Sequence, residues 1–137
     1  MKQLSVFMEN REGRLEEVLE ILKNKNINIL SLSLADSSEF GMLRLIVSDP
    51  ETGALALKEN GISARLTQVL AVKIPHCVGG LQKILIPALH AGINIEYIYA
   101  LETSSEDAVI VLKTSDLERT RKVFEEAGVE LVKSETL

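Results

Sequence analysis

The sequence predicts an α+β fold made of two tandem βαββαβ units, and three observations lead to this prediction. The chain matches itself when it is shifted by 66 positions. The apolar spacing in each half gives the same order of strands and helices. A glycine before the first helix and an Ile-Asn-Ile segment before the second strand occur in both halves. Together these features indicate a duplicated small domain.

The internal repeat is clearest where turns and core positions constrain the sequence. Residues 26–29 (NINI) align with residues 92–95 (GINI), with three identities in a row. Further identities at the same shift pair Val6 with Val72, Gly13 with Gly79, Leu15 with Leu81 and Leu19 with Leu85. We therefore predict two domains, residues 1–68 and residues 69–137.

In the first half, hydrophobic periodicity separates helices from strands. Leu15, Val18, Leu19 and Leu22 follow helical spacing, whereas leucine and serine alternate along residues 30–34, as in a strand. Asp49 and Pro50 are typical of a helix start, and Gly61 of a helix end. The predicted strands are residues 3–9, 28–36, 41–48 and 62–67, and the helices are residues 13–25 and 50–60.

The second half repeats this order. Ser115 and Glu118 fit a capping box at the start of its last helix, and Gly128 fits the helix end. The predicted strands are residues 69–75, 94–102, 107–114 and 129–133, and the helices are residues 80–91 and 116–127. This order implies two tandem ferredoxin-like units, each an antiparallel four-stranded sheet with two helices on one face.

Composition excludes several classes of function. The net charge is -5 and basic residues form no cluster, so we expect no nucleic-acid partner. Cys77 is the single cysteine, which leaves no disulfide framework. No segment resembles a signal peptide or a membrane span, so we expect a cytoplasmic protein without membrane contact. Apolar residues of both parities in the second-half strands predict a second cover, through pairing between the halves, between chains or both, and we expect a homodimer or a larger assembly.

The turn between first strand and first helix is the segment best suited to bind a ligand. It reads Asn10-Arg11-Glu12-Gly13-Arg14-Leu15 in one half and His76-Cys77-Val78-Gly79-Gly80-Leu81 in the other. Glycine allows a tight turn, and the helix that follows offers unpaired N–H groups and the positive end of its dipole. Such a place suits an anion, including a carboxylate.

Each half combines a strand, a glycine loop, a helix and an Ile-Asn-Ile segment. The loop reads N-x-x-G-x-L or H-x-x-G-x-L, and the later segment reads N-I-N-I or G-I-N-I. This combined pattern resembles the ACT domain family. The resemblance covers nearly the whole chain. The layout of the chain is similar to that of small bacterial proteins made only of two ACT domains. It implies an amino-acid-binding regulatory protein without catalytic activity or cofactor, with the ligand between two domains. By position, the resemblance implicates Asn10, Arg11, Glu12, Gly13, Arg14 and Leu15 with Asn28, Ile29 and Leu30, and likewise His76, Cys77, Val78, Gly79, Gly80 and Leu81 with Asn94, Ile95 and Glu96.

The two loops depart from the family pattern in different ways. The family's usual aspartate is Asn10 in one loop and His76 in the other, and its frequent proline is Glu12 or Val78. The first loop is therefore the expected tighter site. Micromolar affinity needs about 8 kcal/mol, and each charge-assisted bond to a carboxylate supplies roughly 1.5–3 kcal/mol. Because ordering costs offset much of this gain, a second surface has to close over the ligand.

Other interpretations of the same residues stay open at this point. Gly13 and Gly79 also suit turns without a ligand, and Asn28 and Asn94 suit Asx turns at strand starts. A metal site at His76 and Cys77 lacks ligands, and Cys77 fits a small buried residue better than a nucleophile. The third strands, read as MLRLIVS and AVIVLK, lack the aromatics of RNA-recognition motifs. The main alternative function is an adaptor for protein–protein contact, and in either case a metabolic enzyme or a regulator is the expected partner.

Overall fold

The chain divides into two compact units. In the computed structural model, the described residues are 1–9, 11–36, 39–101 and 107–133. One unit contains residues 2–67, and the other contains residues 68–137 together with Met1. Among the described residues, no helix is long and apolar enough to cross a membrane.

The first unit is a four-stranded antiparallel sheet with two helices. Its elements are β1 (Lys2–Glu9), α1 (Arg14–Asn24), β2 (Ile29–Asp36), β3 (Phe40–Val47), α2 (Pro50–Glu59) and β4 (Ser63–Gln68). The strand order is β2-β3-β1-β4, so β2 and β4 form the edges. Val6 pairs with Leu43, and Leu34 pairs with the same residue from the other side.

The second unit repeats this topology. Its elements are β5 (Leu70–Ile74), α3 (Gly80–His90), β6 (Ile95–Leu101), β7 (Ala108–Thr114), α4 (Leu117–Glu126) and β8 (Leu131–Val132). The order β6-β7-β5-β8 matches the first sheet strand for strand. The predicted α+β class, with two tandem ferredoxin-like βαββαβ units, is confirmed. The last strand is shorter than predicted, because only two of its residues pair with β5.

Each unit has its own aliphatic core between the sheet and its helices. In the first unit, Leu4, Val6, Val18 and Leu22 are completely buried. Val18 and Leu22 come from α1 and lie one helical turn apart, so the predicted apolar stripe faces the sheet. In the second unit, Phe124 of α4 fills the equivalent layer. Burial of each such side chain stabilises the fold by roughly 1.5–3 kcal/mol.

The four helices begin in two different ways. The side chains of Asp49 and Asp116 accept hydrogen bonds from Thr52 N and Arg119 N at the starts of α2 and α4. The capping-box prediction for Ser115 is therefore wrong, because the aspartate one position later supplies the cap. By contrast, α1 and α3 begin at Gly13 and Gly79 without a capping side chain among the residues that the structure describes. Within those residues, the first helix of each unit has no side-chain acceptor for its initial amides.

The sheet of the first unit has an apolar edge. Leu32 and Leu34 lie on β2 and are 51% and 47% exposed. Their partners in β3, Leu45 and Leu43, are buried in the core. The leucine face of β2 therefore lies on the helix side of the sheet but remains exposed. An exposed apolar edge strand favours pairing with another strand.

Candidate functional site

The two glycine loops have the same backbone geometry. Arg11 N donates to Glu9 O at 2.9 Å, and Cys77 N donates to Pro75 O at 2.9 Å. Arg14 N donates to Arg11 O at 3.3 Å, and its counterpart Gly80 N donates to Cys77 O at 3.0 Å. The repeat predicted from sequence therefore extends to the hydrogen bonds of the loops.

Gly13 and Gly79 both adopt the left-handed backbone conformation that the turn requires. Their φ angles are +86° and +78°. A Cβ at either position would meet no atom within 4 Å. Glycine is therefore required at these positions by its backbone conformation and not by lack of space.

The first loop borders a cleft of about 270 Å³. Its walls combine backbone at the end of β1 with charged and apolar side chains: Met8, Glu9, Arg11, Arg14, Leu15, Leu34 and Gly41. Three of the residues predicted for the site, Arg11, Arg14 and Leu15, thus come together here. Glu12 and Gly13 lie in the same turn and are exposed, whereas Asn10 lies outside the described residues.

Charge in this cleft is partly neutralised within the loop. Arg11 Nε lies 3.1 Å from Glu9 Oε2, and Arg14 Nη1 lies 2.9 Å from Glu17 Oε2. The Arg14 side chain is mostly buried, and its Nε has no hydrogen-bond partner among the residues that the structure describes. A buried N–H group without an acceptor is destabilising. Arg14 is the more buried of the two cations in the cleft, and it has further guanidinium N–H groups besides the one that Glu17 accepts.

The second loop is chemically different. His76, Cys77, Val78 and Gly79 are exposed, and the chain turns inward only at Gly80, which is buried ahead of the exposed Leu81. The expectation that Cys77 is a small buried residue is wrong, because the turn directs residues 76–79 to the surface. In the described part of the chain, no cluster of three or more histidine, cysteine or acidic side chains could hold a metal ion.

The strand starts predicted for the site lie elsewhere in each unit. Asn28 exchanges hydrogen bonds with Ser48 at the far end of β3: its N donates to Ser48 Oγ at 2.9 Å, and its O accepts from Ser48 N at 2.9 Å. Asn94 O likewise accepts from Ser115 N at 3.0 Å. Ile29 and Leu30 are half-buried beside Asn28, as is Ile95 beside Asn94, and Glu96 pairs with Lys113 at 3.0 Å.

The glycine loop and the start of β2 therefore sit at opposite ends of one sheet. β1 ends beside Phe40, whereas β2 begins beside Val47. At about 3.3 Å per residue, the length of β3 separates these ends by roughly 25 Å. The residues predicted to share a ligand do not meet within a single unit.

Two residues bordering the loop were missed from the sequence. β3 begins at Phe40, one residue earlier than predicted, so the expectation that the third strand of the first half lacks an aromatic is wrong. Phe40 stacks on Phe7 of β1 with ring centroids 5.0 Å apart. In the sequence, both are large apolar residues next to a loop. Along their strands they alternate with the core residues.

Two ferredoxin-like units, each with a first helix that begins at a left-handed glycine, define a tandem architecture of small α+β domains. The family model described as an ACT domain pair matches residues 1–137. The chain belongs to the ACT domain family.

Solved structures agree with this assignment. A Bacteroides thetaiotaomicron protein is 38% identical, with a TM-score of 0.90, 97% of this chain covered and 92% of that chain. The regulatory subunit of aspartate kinase from Thermus thermophilus, in its ligand-free form, has 16% identity and a TM-score of 0.64, covering 92% of this chain and 91% of that one. The latter similarity concerns the fold alone. A search of the curated proteins finds no match.

Proposed function

We propose that this ACT domain pair is a non-catalytic regulatory protein that binds a free amino acid at the first glycine loop. The observation that carries the proposal is the start of α1, where a left-handed glycine replaces a capping side chain beside a cleft containing Arg14. α2 and α4, which lack this loop, are both capped by aspartate. The uncapped helix start thus coincides with the family's ligand loop.

An amino acid offers a different group to each part of this cleft. Its carboxylate suits the guanidinium of Arg14 and those amides of residues 11–15 that do not bond within the loop, since both are donors. Its ammonium group suits the Glu9 carboxylate, which is an acceptor, and the family pattern adds the side-chain oxygen of Asn10. The acidic Glu9 and Glu12 favour a ligand whose own side chain is polar and nitrogen-bearing. That side chain would extend past Leu34 toward the edge of the sheet.

In this proposal, a second copy of the chain supplies the second surface that closes over the ligand. β2 is an edge strand, and antiparallel pairing with the partner's β2 would set the start of one strand beside the end of the other. The end of β2 lies at the same end of the sheet as Gly13, because Asp36 pairs with Gly41 and Gly41 with Met8. A twofold dimer would therefore bring the partner's strand start to each loop.

This assembly predicts that a charge on the β2 edge will break the dimer. The wild-type protein is expected to be dimeric at micromolar concentration, and Leu32→Lys to be monomeric, because lysine on an edge strand opposes pairing. Leu55→Lys on α2 is the matched control, since that leucine is also exposed, at 59%, but lies on a helix. Light scattering gives the mass of each variant. A monomeric wild type, with or without ligand, contradicts the proposal.

Isothermal titration with the twenty amino acids tests the ligand. One amino acid, or a few related ones, should give saturable heat, and the first loop should bind more tightly than the second. The second loop lacks an arginine and carries Cys77, Val78 and Gly80 where the first loop has the charged Arg11, Glu12 and Arg14. If none of the twenty amino acids gives saturable heat, the result favours the alternative of an adaptor that contacts a partner protein through the exposed β2 edge. In both cases a cytoplasmic metabolic enzyme or regulator would receive the signal.

A further inference from the structure

A second cavity lies on the other side of Arg14, where β1 ends and β4 begins. Its volume is about 200 Å³, equal to the liquid volume of roughly seven water molecules. Phe7, Phe40, Val18 and Ile62 give it apolar walls, and the polar groups at its border are Arg14, Ser63 and Glu9, whose carboxylate is paired with Arg11. Leu34 and Arg11 border only the first-loop cleft, and Phe40 borders only this cavity. We call it the Phe40 cavity.

The two phenylalanines form a flat apolar wall. Their rings are stacked, with an interplanar angle of 22°, and the residues are 46% and 41% exposed. The two adjacent rings leave apolar surface open to solvent. Contact with another flat apolar group would cover that surface. This wall therefore favours a planar or aromatic group in the ligand.

Arg14 supplies the charge for recognition. Its Nη1 is held by Glu17 at 2.9 Å, so the guanidinium is fixed in place, while its buried Nε has no acceptor among the described residues. A carboxylate oxygen can accept a charge-assisted bond from the guanidinium N–H groups that Glu17 does not use. The cavity thus combines an anion-binding group with an aromatic wall.

The equivalent position in the second unit has different residues and no cavity of this kind among the described residues. Lys73 and Asp107, the counterparts of Phe7 and Phe40, lie 3.7 Å apart as an ion pair, and Lys73 also pairs with Glu130 at 3.1 Å. The counterpart of Arg14 is Gly80, where a Cβ would lie only 2.2 Å from Pro75 O. No arginine fits there without movement of the backbone. The features of the Phe40 cavity are therefore specific to the first unit.

We propose that the Phe40 cavity binds a small carboxylate that carries an aromatic or other flat apolar group. The carboxylate bonds to Arg14, and the flat group lies against Phe7 and Phe40. Because one guanidinium borders both the cavity and the first-loop cleft, this ligand competes with an amino acid bound at Gly13. The cavity site does not depend on the proposed amino-acid site, since its walls lie within one unit.

The test uses 4-fluorophenylacetate as the probe and follows its ¹⁹F resonance on titration with the intact protein. The neutral 4-fluorophenylacetamide should bind about 10-fold more weakly or worse, because it lacks the charge that Arg14 recognises. Arg14→Met and Phe40→Ser should each weaken probe binding by about 10-fold or more. Arg11→Met and Leu34→Ala border only the other cleft and should leave probe binding unchanged.

Thermal unfolding of each variant shows that the first unit is intact, and Phe40→Ser covers the case in which Arg14→Met does not fold. Equal binding of the acid and the amide, unchanged binding by Phe40→Ser, or no saturable binding of the probe would overturn the proposal. Leu34→Ala should weaken amino-acid binding but not probe binding. Failure of the amino-acid site and failure of the cavity site are therefore distinguishable.

Discussion

Gly13→Val is expected to abolish amino-acid binding while the protein stays folded. Valine at a φ of +86° is strained by about 1–3 kcal/mol, and the turn can relieve that strain only by moving the amides that we propose to bind the ligand. Loss of two charge-assisted bonds corresponds to a fall in affinity of about 100-fold or more. Titration calorimetry measures the loss, and circular dichroism confirms the fold.

Two matched variants separate binding from strain. Gly79→Val puts the same residue in the second loop, at a φ of +78°, and should affect binding less. Gly128→Val has a φ of +75° and open space around its Cβ, but lies in neither loop, so it carries the backbone penalty alone. If Gly13→Val folds and binds the best amino acid with wild-type affinity, the helix-start site is wrong.

Gly80→Ala is expected to destabilise the second unit strongly, although alanine normally favours a helix by about 1 kcal/mol over glycine. The added Cβ would lie 2.2 Å from Pro75 O, which is backbone and cannot rotate away. Such overpacking costs about 1–3 kcal/mol or more. The result should be a lower denaturant midpoint for the unit of residues 68–137.

Gly53→Ala is the matched control for this effect. Gly53 is also a buried helical glycine, but its Cβ would approach Leu22 and Leu4 side chains at 3.3 Å, and these can adjust. We expect a much smaller change in the free energy of unfolding. An unchanged midpoint for Gly80→Ala would show that the turn before α3 is more pliable than its geometry indicates.

The repeated order of elements was predictable because it depends on local patterns. Leucine spacing in α1, serine–leucine alternation in β2 and glycines at turns each act over a few residues. The same patterns do not tell which strand lies at the edge. Leu32 and Leu34 have the alternation of a buried face, yet they remain about half exposed on an edge strand, because strand order is set by distant pairing.

The site was predictable only in part, for a similar reason. The glycine loops follow from sequence, since Gly13 and Gly79 recur with their helices. The environment of Arg14 does not, because Phe40 of β3 and Ile62, just before β4, border the same cavity from distant parts of the chain. The cap of the last helix was predicted one residue too early, because Ser115 and Asp116 are adjacent residues of types that both cap well.

The distance of roughly 25 Å between the glycine loop and the start of β2 has a consequence for how the protein would respond in a cell. If the ligand bridges two chains, its occupancy depends on the amount of protein as well as on the amount of amino acid. Dilution of the protein would weaken its apparent affinity for the amino acid, and a higher protein concentration would strengthen that affinity. The expression level of the chain would then set the amino-acid concentration to which it responds.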